Sequence, residues 1–291
     1  MKTLLTAIAL LISTLSISQE VLTFPVVSAA LLQWKEVEKQ MPKPIIDKFI
    51  KDTPKEFQAY KRKDAEVAFL NLDSLQKVLH FLDLNGDGKE DVIFEGQSDG
   101  EANEVAIFIK TRQGYKKVFF TFQGVVKMDW ENKALSRLYI DDWGCCDDYI
   151  ERHMIYDVNY SQLGIPKFKK VYQALSIYNG IKPDSLLEKK FAFEVLNEGY
   201  KMRSAPKIDD VSVQPWDNDQ MKKTGSGNII GRLIKGATGT ALAKRMDNTG
   251  REWLFVQIDA AYFTKNDIFY VENNFPTKYI GWISSRFVKA L

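Results

Sequence analysis

The sequence predicts a mainly β protein with a short N-terminal helical segment, an antiparallel β meander and a small C-terminal barrel. Two patterns support this fold class: apolar residues recur at helical spacing before residue 60, and short β-branched or aromatic runs alternate with turn formers after residue 67. The 291 residues are 45% hydrophobic and carry a net charge of +2. This composition excludes a disordered chain, a multi-span membrane protein and the basic surface of a nucleic-acid-binding protein.

The N-terminus predicts a secretory signal peptide over residues 1–18. One positive side chain, Lys2, precedes an apolar run from Leu4 to Ile12, and a serine-rich stretch follows it. The run is too short to span about 30 Å of hydrocarbon, and no later stretch reaches 18 apolar residues. We therefore expect export to the periplasm or the extracellular space, with no transmembrane anchor after signal removal.

Residues 19–64 are predicted to form a helical lead-in. A first amphipathic helix is indicated by apolar residues three or four positions apart, which are Ala30, Leu31, Trp34, Val37 and Met41. Pro42 and Pro44 are expected to end it. A second helix, reaching Tyr60, is indicated by the capping-box pattern of Thr53-Pro54-Lys55-Glu56.

Residues 65–205 are predicted to form a β domain. The predicted strands are 78–82, 92–94, 105–109, 118–122, 135–140 and 153–158. Hairpin-length gaps between them favour an antiparallel meander, and the two apolar faces of 105–109 indicate a central strand. Residues 81–87 resemble 139–145 in residue type, as two blade-like units would, although chance explains this echo at least as well.

The segment 83–91 has the pattern of a calcium-binding loop. Side-chain oxygens stand at positions 1, 3, 5 and 9, Gly88 allows a sharp turn at position 6, and the carbonyl of the next residue completes the shell. The predicted ligands are Asp83, Asn85, Asp87, Lys89 and Asp91. Three carboxylates in one loop repel each other without a cation, and Ca²⁺ suits a flexible oxygen site. The alternative is a metal-free Asx turn.

This loop resembles the calcium motif of FG-GAP repeat proteins, in which an aspartate at position 9 closes the site. An EF-hand would need a glutamate at position 12, where Phe94 stands. The resemblance covers about residues 77–96 and implies a structural Ca²⁺ between two strands. Members of that class carry several copies of the motif, whereas this chain has one.

Cys145 and Cys146 are adjacent, and four aspartates flank them. Nearby carboxylates raise a thiol pKa, which disfavours a nucleophile. In an oxidising compartment the pair can form a vicinal disulfide, and two free thiols fit the sequence nearly as well. His80 and His153 lie in strand-like runs and are interpreted as structural residues.

Residues 206–291 are predicted to form a small β barrel. The pattern contains a turn from Gly231 to Gly236, the strand Trp253-Leu254-Phe255-Val256, the triplet Gly281-Trp282-Ile283 and the terminal pair Phe287-Val288. These four or five short strands resemble bacterial SH3-like (SH3b) domains, which implies a small barrel and binding of cell-wall peptides or of a protein partner.

A segment at 259–278 is longer than the loop that SH3-like domains have at this place, and it could cover their binding groove. The ligand-binding candidates in this region are Tyr262, Tyr270 and Trp282. For Trp282 and Trp253, a position in the barrel core is the stronger expectation.

The sequence thus predicts an exported, non-catalytic binding or adaptor protein of the bacterial cell envelope. Its expected partner is peptidoglycan or an envelope peptide or protein, and its expected cofactor is a structural Ca²⁺. The chain contains no nucleophile elbow, no His-Glu-x-x-His motif and no phosphate loop. The alternatives are an envelope hydrolase that uses carboxylates from Asp141, Asp142, Asp147 and Asp148, and a scaffold without a dedicated ligand.

Overall fold

A computed structural model describes residues 22–26, 32–53, 57, 72–97, 103–143, 149–213, 227–268 and 274–291. The protein is mainly β, as the sequence predicts. The helices in the described ranges are α1 Trp34–Val37, α2 Lys43–Asp52 and α3 Leu72–Lys77. The first eight strands are β1 Leu79–Leu82, β2 Asp91–Gln97, β3 Asn103–Thr111, β4 Gly114–Phe122, β5 Gly124–Glu131, β6 Ala134–Asp142, β7 Ile150–Tyr160 and β8 Pro166–Ile177. The others are β9 Phe191–Val195, β10 Tyr200–Arg203, β11 Ile229–Leu233, β12 Thr238–Met246, β13 Glu252–Asp259, β14 Phe263–Ile268, β15 Lys278–Ser284 and β16 Val288–Ala290.

The first eight strands form two consecutive antiparallel meanders. Strands β1 to β4 make one sheet in chain order, and β5 to β8 are likewise hydrogen-bonded in chain order. Apolar side chains of β2 and β3 pack with those of β5, β6 and β7 in one core, which includes Ile93, Ile107, Leu138 and Ile140. Residues 105–109 of β3 are all buried, in agreement with the prediction of a central strand.

Helices α2 and α3 cover the other face of the first sheet. Phe49 of α2 and Leu75 of α3 are fully buried against β1, β2 and β3. The first predicted helix is shorter than expected, because α1 spans only Trp34–Val37. Pro42 and Pro44 do more than end it: they stand at the N-cap and N2 of α2, positions that tolerate a missing N–H.

A buried carboxyl group joins α1 to both meanders. Glu95 of β2 accepts hydrogen bonds from the indole nitrogen of Trp34 at 2.6 Å and from the backbone nitrogen of Val125 on β5 at 3.1 Å. Gly124 leaves room for it: an added Cβ would stand 2.8 Å from the Glu95 carboxylate and 3.2 Å from the Trp143 ring, so the carboxylate would have to move. Trp34 also stacks on His80, whose ring nitrogen lies 2.6 Å from Glu38.

The C-terminal strands continue the second sheet through one parallel pairing, between β8 and β15. From β15 the order runs through β13, β12 and β9 to β16, while β10 pairs with β15 and β11, and β11 with β14. Within the described residues these strands do not close into a barrel. The predicted boundary at 205 falls between β10 and β11, which are hydrogen-bonded to each other, so strand pairing places β9 and β10 with the C-terminal unit.

Some expectations concern residues outside the described ranges. These are the signal peptide at 1–18 and most of the second predicted helix, of which Thr53 is the C-cap of α2 and Phe57 lies outside any helix. No helix in the described part of the chain is long and apolar enough to cross a membrane.

Replacing Phe49 by alanine should destabilise the protein by about 3 to 5 kcal/mol, because it leaves a cavity between α2 and the first sheet. Ile45 on the same helix is 39% exposed and is the matched control. Its alanine variant should change the free energy of unfolding by less than about 1 kcal/mol. Denaturant unfolding measures both, and equal effects would contradict the packing of α2 on the sheet.

Replacing Glu95 by glutamine should change how stability depends on pH. Burial raises the pKa of Glu95 from 4.5 to about 7, against the two hydrogen bonds that lower it. The folded protein therefore keeps a proton that the unfolded chain releases, and this contribution is present in full below pH 4.5 and is lost as the pH rises through about 7. The wild type should lose about 1 to 3 kcal/mol more than the variant between pH 4.5 and 8.

Urea unfolding at several pH values measures this difference, with the exposed Glu188→Gln as control. Parallel curves for the wild type and Glu95→Gln would contradict the raised pKa.

Candidate functional site

The predicted calcium loop connects β1 to β2 in a tight turn. Gly86 and Gly88 have φ values of +72° and +80°, a backbone region that favours glycine. The backbone nitrogen of Asp87 donates to Oδ1 of Asp83 at 3.0 Å and to Oδ1 of Asn85 at 3.1 Å. Oxygens of the first two predicted ligands therefore converge on one point, as a cation site requires.

The closing ligand is arranged differently. Asp91 is fully buried, and its carboxylate accepts hydrogen bonds from the backbone nitrogens of Leu84 at 3.0 Å and Lys110 at 2.7 Å. Burial raises the pKa of Asp91 to about 7 despite these two bonds. The side chain of Asp87 is bound by the ammonium of Lys89 at 2.8 Å. Asp83 and Asp87 also accept hydrogen bonds from the backbone nitrogens of Gly88 and Lys89, both at 2.9 Å. All four predicted side-chain ligands therefore already accept hydrogen bonds, as in a metal-free Asx turn, and a calcium ion would have to share or replace them.

The outer side of this loop borders a cavity of about 730 Å³. Asn85, Asp87 and Lys89 line it together with Lys110 and Arg112 of the β3–β4 hairpin. An ion bound in the loop would therefore lie at the wall of an open cavity.

Calcium should raise the stability of the protein by about 2 to 3 kcal/mol at about 100 times its dissociation constant. Asp83→Asn and Asp87→Asn remove ligand charge and should abolish this gain, while the exposed Asp184→Asn should retain it. Thermal unfolding with calcium and with chelator measures the effect. Equal melting in both conditions for the wild type would contradict a calcium site.

A second polar cluster lies buried where β6, β7 and β8 run side by side. Strand register creates it: Asp141 of β6 is opposite His153 of β7, and Glu151 of β7 is opposite Ser176 of β8. Residues 151 and 153 share one face of β7 because side chains alternate along a strand. Lys182, in the segment after β8, completes the group with its ammonium against the carboxylates of Glu151 and Asp141.

The contacts in this cluster are short. Nε2 of His153 lies 2.8 Å from Oγ of Ser176, whose hydroxyl donates to Glu151 at 3.1 Å. Nδ1 of His153 and Oδ1 of Asp141 are 2.9 Å apart, but their alignment is too poor for a hydrogen bond, and neither atom has a hydrogen-bond partner among the described residues. Burial acts to raise the pKa of Asp141, but its contacts with His153 and Lys182 outweigh it and hold that pKa below its ordinary value.

The order Ser176, His153, Asp141 resembles the Ser-His-Asp arrangement of hydrolases, but its hydrogen bonds have the opposite direction. A nucleophilic serine donates its proton to the histidine. Here the Ser176 hydroxyl donates to Glu151, so its oxygen can only accept from Nε2 of His153. The adjoining cavity, which Ser176 and Lys182 help to line, measures about 10 Å³ and has room for about one water molecule. This geometry does not support acyl-transfer chemistry.

Sequence reasoning found only part of this cluster. The sequence offers Asp141 as one of four acids around the cysteines and indicates a structural role for His153, and the structure buries the two side by side. Glu151, Ser176 and Lys182 were not selected, although the Glu-x-His spacing on one strand face was a usable signal. Cys145, Cys146, Asp147 and Asp148 lie outside the described residues, so the vicinal disulfide stays a prediction.

A cationic pocket of about 350 Å³ lies in the C-terminal unit. Four cationic side chains, one acid and three aromatic rings contribute to its wall: Lys201, Arg203, Arg251, Arg286, Glu198, Tyr200, Trp253 and Phe287. Lys201 and Arg203 share the single carboxylate of Asp210, at 2.7 and 2.8 Å. Arg251 and Arg286 form no salt bridge within the described part of the chain, which leaves two positive charges available to a ligand.

The turn between β12 and β13 positions one wall of this pocket. Asp247 accepts hydrogen bonds from the backbone nitrogen of Arg251 at 3.0 Å and from the indole nitrogen of Trp253 at 2.9 Å. These and further donors, with the Trp253 bond as the largest contribution, lower the pKa of Asp247. On the other wall, Tyr200 donates to the carbonyl of Ser284 at 2.7 Å and packs edge-on against Phe287.

Trp282 and Tyr262, the predicted ligand aromatics in the described part of the chain, do not line this pocket. Trp282 is fully buried and donates to the carbonyl of Ile181 at 2.6 Å, so it belongs to the core and its ring is not available to a ligand. Tyr262 is half-buried, and its hydroxyl accepts from Thr238 at 3.0 Å. Tyr270 lies outside the described residues. A pocket formed by Arg251 and Arg286 was missed because these residues are distant in sequence and come together only in the fold.

Comparison of the chain with protein-family models, with curated proteins and with solved structures found no match. Function is therefore argued from the geometry of the chain alone.

Proposed function

We propose that the protein is an exported, non-catalytic binding or adaptor protein of the bacterial cell envelope, and that its SH3-like C-terminal unit contacts peptidoglycan or an envelope peptide. The observation that carries the proposal is the pocket in which Arg251 and Arg286 lack carboxylate partners among the described residues. The signal-peptide pattern of residues 1–18 supports export.

Arginine is suited to recognising carboxylates, because its planar guanidinium can donate two parallel hydrogen bonds to them. The stem peptides of peptidoglycan and the C-termini of proteins both carry carboxylates. Tyr200 and the exposed Phe287 add an apolar surface beside the two charges. This mixture of apolar rings and a few charged groups is typical of small-ligand sites.

The buried acids support binding better than hydrolysis. Asp141 and Glu151 are bridged by Lys182, and the cavity that Lys182 helps to line measures about 10 Å³, which cannot admit a sugar or a peptide. We further propose that Ca²⁺ in the 83–91 loop is structural and stabilises the β1–β2 connection.

Co-sedimentation with purified cell-wall sacculi tests the binding proposal. The full-length mature protein should sediment with sacculi, and Arg251→Ala combined with Arg286→Ala should weaken the association about tenfold or more, since each lost charged hydrogen bond costs about 1.5 to 3 kcal/mol. The matched control is Lys189→Ala combined with Lys289→Ala, which removes two exposed charges outside the pocket.

Recovery of the wild type only in the supernatant would contradict wall binding. An equal loss in both double variants would show that net charge, and not the pocket, causes the association.

A further inference from the structure

We propose that Asp141, Glu151 and His153 bind a divalent first-row transition-metal ion such as Zn²⁺, and that Lys182 is the cation which this ion displaces. The site is separate from the predicted calcium loop and does not depend on the proposed wall binding. Two carboxylates and one imidazole form a mixed oxygen and nitrogen donor set, which suits zinc and its neighbours better than calcium.

The donor atoms of the three residues lie close enough to bind one ion after a small movement. One donor atom from each of the three residues lies within 4.8 Å of the other two, and all three residues are buried. Two ligand bonds of about 2.1 Å span at most about 4.2 Å, so a pair at the upper limit would have to move closer by a few tenths of an ångström. Nδ1 of His153 and Oδ1 of Asp141 are 2.9 Å apart. Two ligand bonds of about 2.1 Å that meet near a right angle produce this separation.

The hydrogen bonds around Ser176 fix which nitrogen of His153 is free. The Ser176 hydroxyl donates to Glu151, so Nε2 of His153 must carry the proton that it donates to Ser176. In the neutral imidazole, Nδ1 then carries a lone pair 2.9 Å from the carboxylate oxygen of Asp141 and directed to one side of that oxygen. Two electron-rich atoms at this distance repel each other unless a cation or a proton lies beside them. A metal ion satisfies both atoms at once.

The surroundings of Nδ1 of His153 and Oδ1 of Asp141 also favour a bound metal ion. His153 is fully buried, and neither its Nδ1 nor Oδ1 of Asp141 has a hydrogen-bond partner among the described residues. Buried polar atoms without partners are uncommon and costly, so such a pair calls for an explanation. The serine and glutamate contacts meanwhile orient the imidazole, as the outer hydrogen bonds of metal-bound histidines do.

When no metal ion is bound, the ammonium of Lys182 balances part of the negative charge of Asp141 and Glu151. Its ammonium contacts Glu151 and lies 3.8 Å from Asp141, and its side chain is 26% exposed. Lys182 is not in a strand, so its side chain can turn into solvent while the sheet stays intact. A divalent ion then neutralises the two carboxylates with His153 uncharged.

The test uses the full-length protein, dialysed against chelator, in a background in which Cys145 and Cys146 are serine so that thiolates cannot be ligands. Co²⁺ binding is followed by visible absorption, and Zn²⁺ binding by competition and by thermal unfolding. We expect visible Co²⁺ bands that Zn²⁺ removes, and no comparable displacement by Ca²⁺. Asp83→Asn, in the calcium loop, should leave these bands unchanged.

Lys182→Met is the decisive variant. Without the competing ammonium, two buried carboxylates lack a counter-charge, so the metal-free variant should be less stable and should bind Zn²⁺ about tenfold or more tightly than the parent. His153→Gln should lose the Co²⁺ bands. If that variant does not fold, Lys182→Met alone decides.

Two results would overturn the proposal: no visible Co²⁺ spectrum with the parent protein, or equal Zn²⁺ affinity in the parent and in Lys182→Met. Either would show that a proton on His153, and not a metal, separates Nδ1 from Asp141.

Discussion

The parallel pairing of β8 with β15 is the contact on which the architecture of the second sheet depends. It joins the second antiparallel meander to the C-terminal strands, and side chains from both sides pack in one core that includes Tyr139, Ile155, Trp253 and Trp282. Polar contacts reinforce the junction, since Tyr172 of β8 donates to Gln257 of β13 at 2.8 Å. Because β8 also pairs with β7, the same strand places Ser176 beside His153.

Local patterns in the sequence were sufficient to predict the strands of the meanders and their hairpin neighbours. They were insufficient to predict the pairing of β8 with β15. The apolar run at 105–109 is enough to predict a strand buried on both faces, because consecutive side chains point to opposite faces and all five are apolar. The turn between β1 and β2 was predictable for the same reason, since Gly86 and Gly88 meet a local backbone requirement. The β8–β15 pairing joins residues about 100 positions apart, and no local pattern specifies it.

The candidate sites show the same division between local and long-range information. The 83–91 loop could be selected from the sequence because its predicted ligands are contiguous, and calcium binding there stays a prediction. Asp91, the predicted closing ligand, is already bound by backbone nitrogens. The buried cluster was missed because strand register assembles it: Asp141, His153 and Ser176 come from three strands. From sequence alone, Asp141 is one of four nearby aspartates, and the usual expectation for such a group is a solvated loop.

The free-energy cost of charged side chains differs between the two charged regions of the molecule. Arg251 and Arg286 stand at an open pocket, where unpaired charges cost little because water solvates them. Asp141 and Glu151 are buried, and replacing a buried ion pair by apolar residues of similar volume is often neutral or stabilising. Fold stability alone therefore gives little reason to bury two acids, a histidine and a lysine together. A ligand for which these groups are the donors supplies such a reason, and the unpartnered Nδ1 of His153 marks where that ligand would bind.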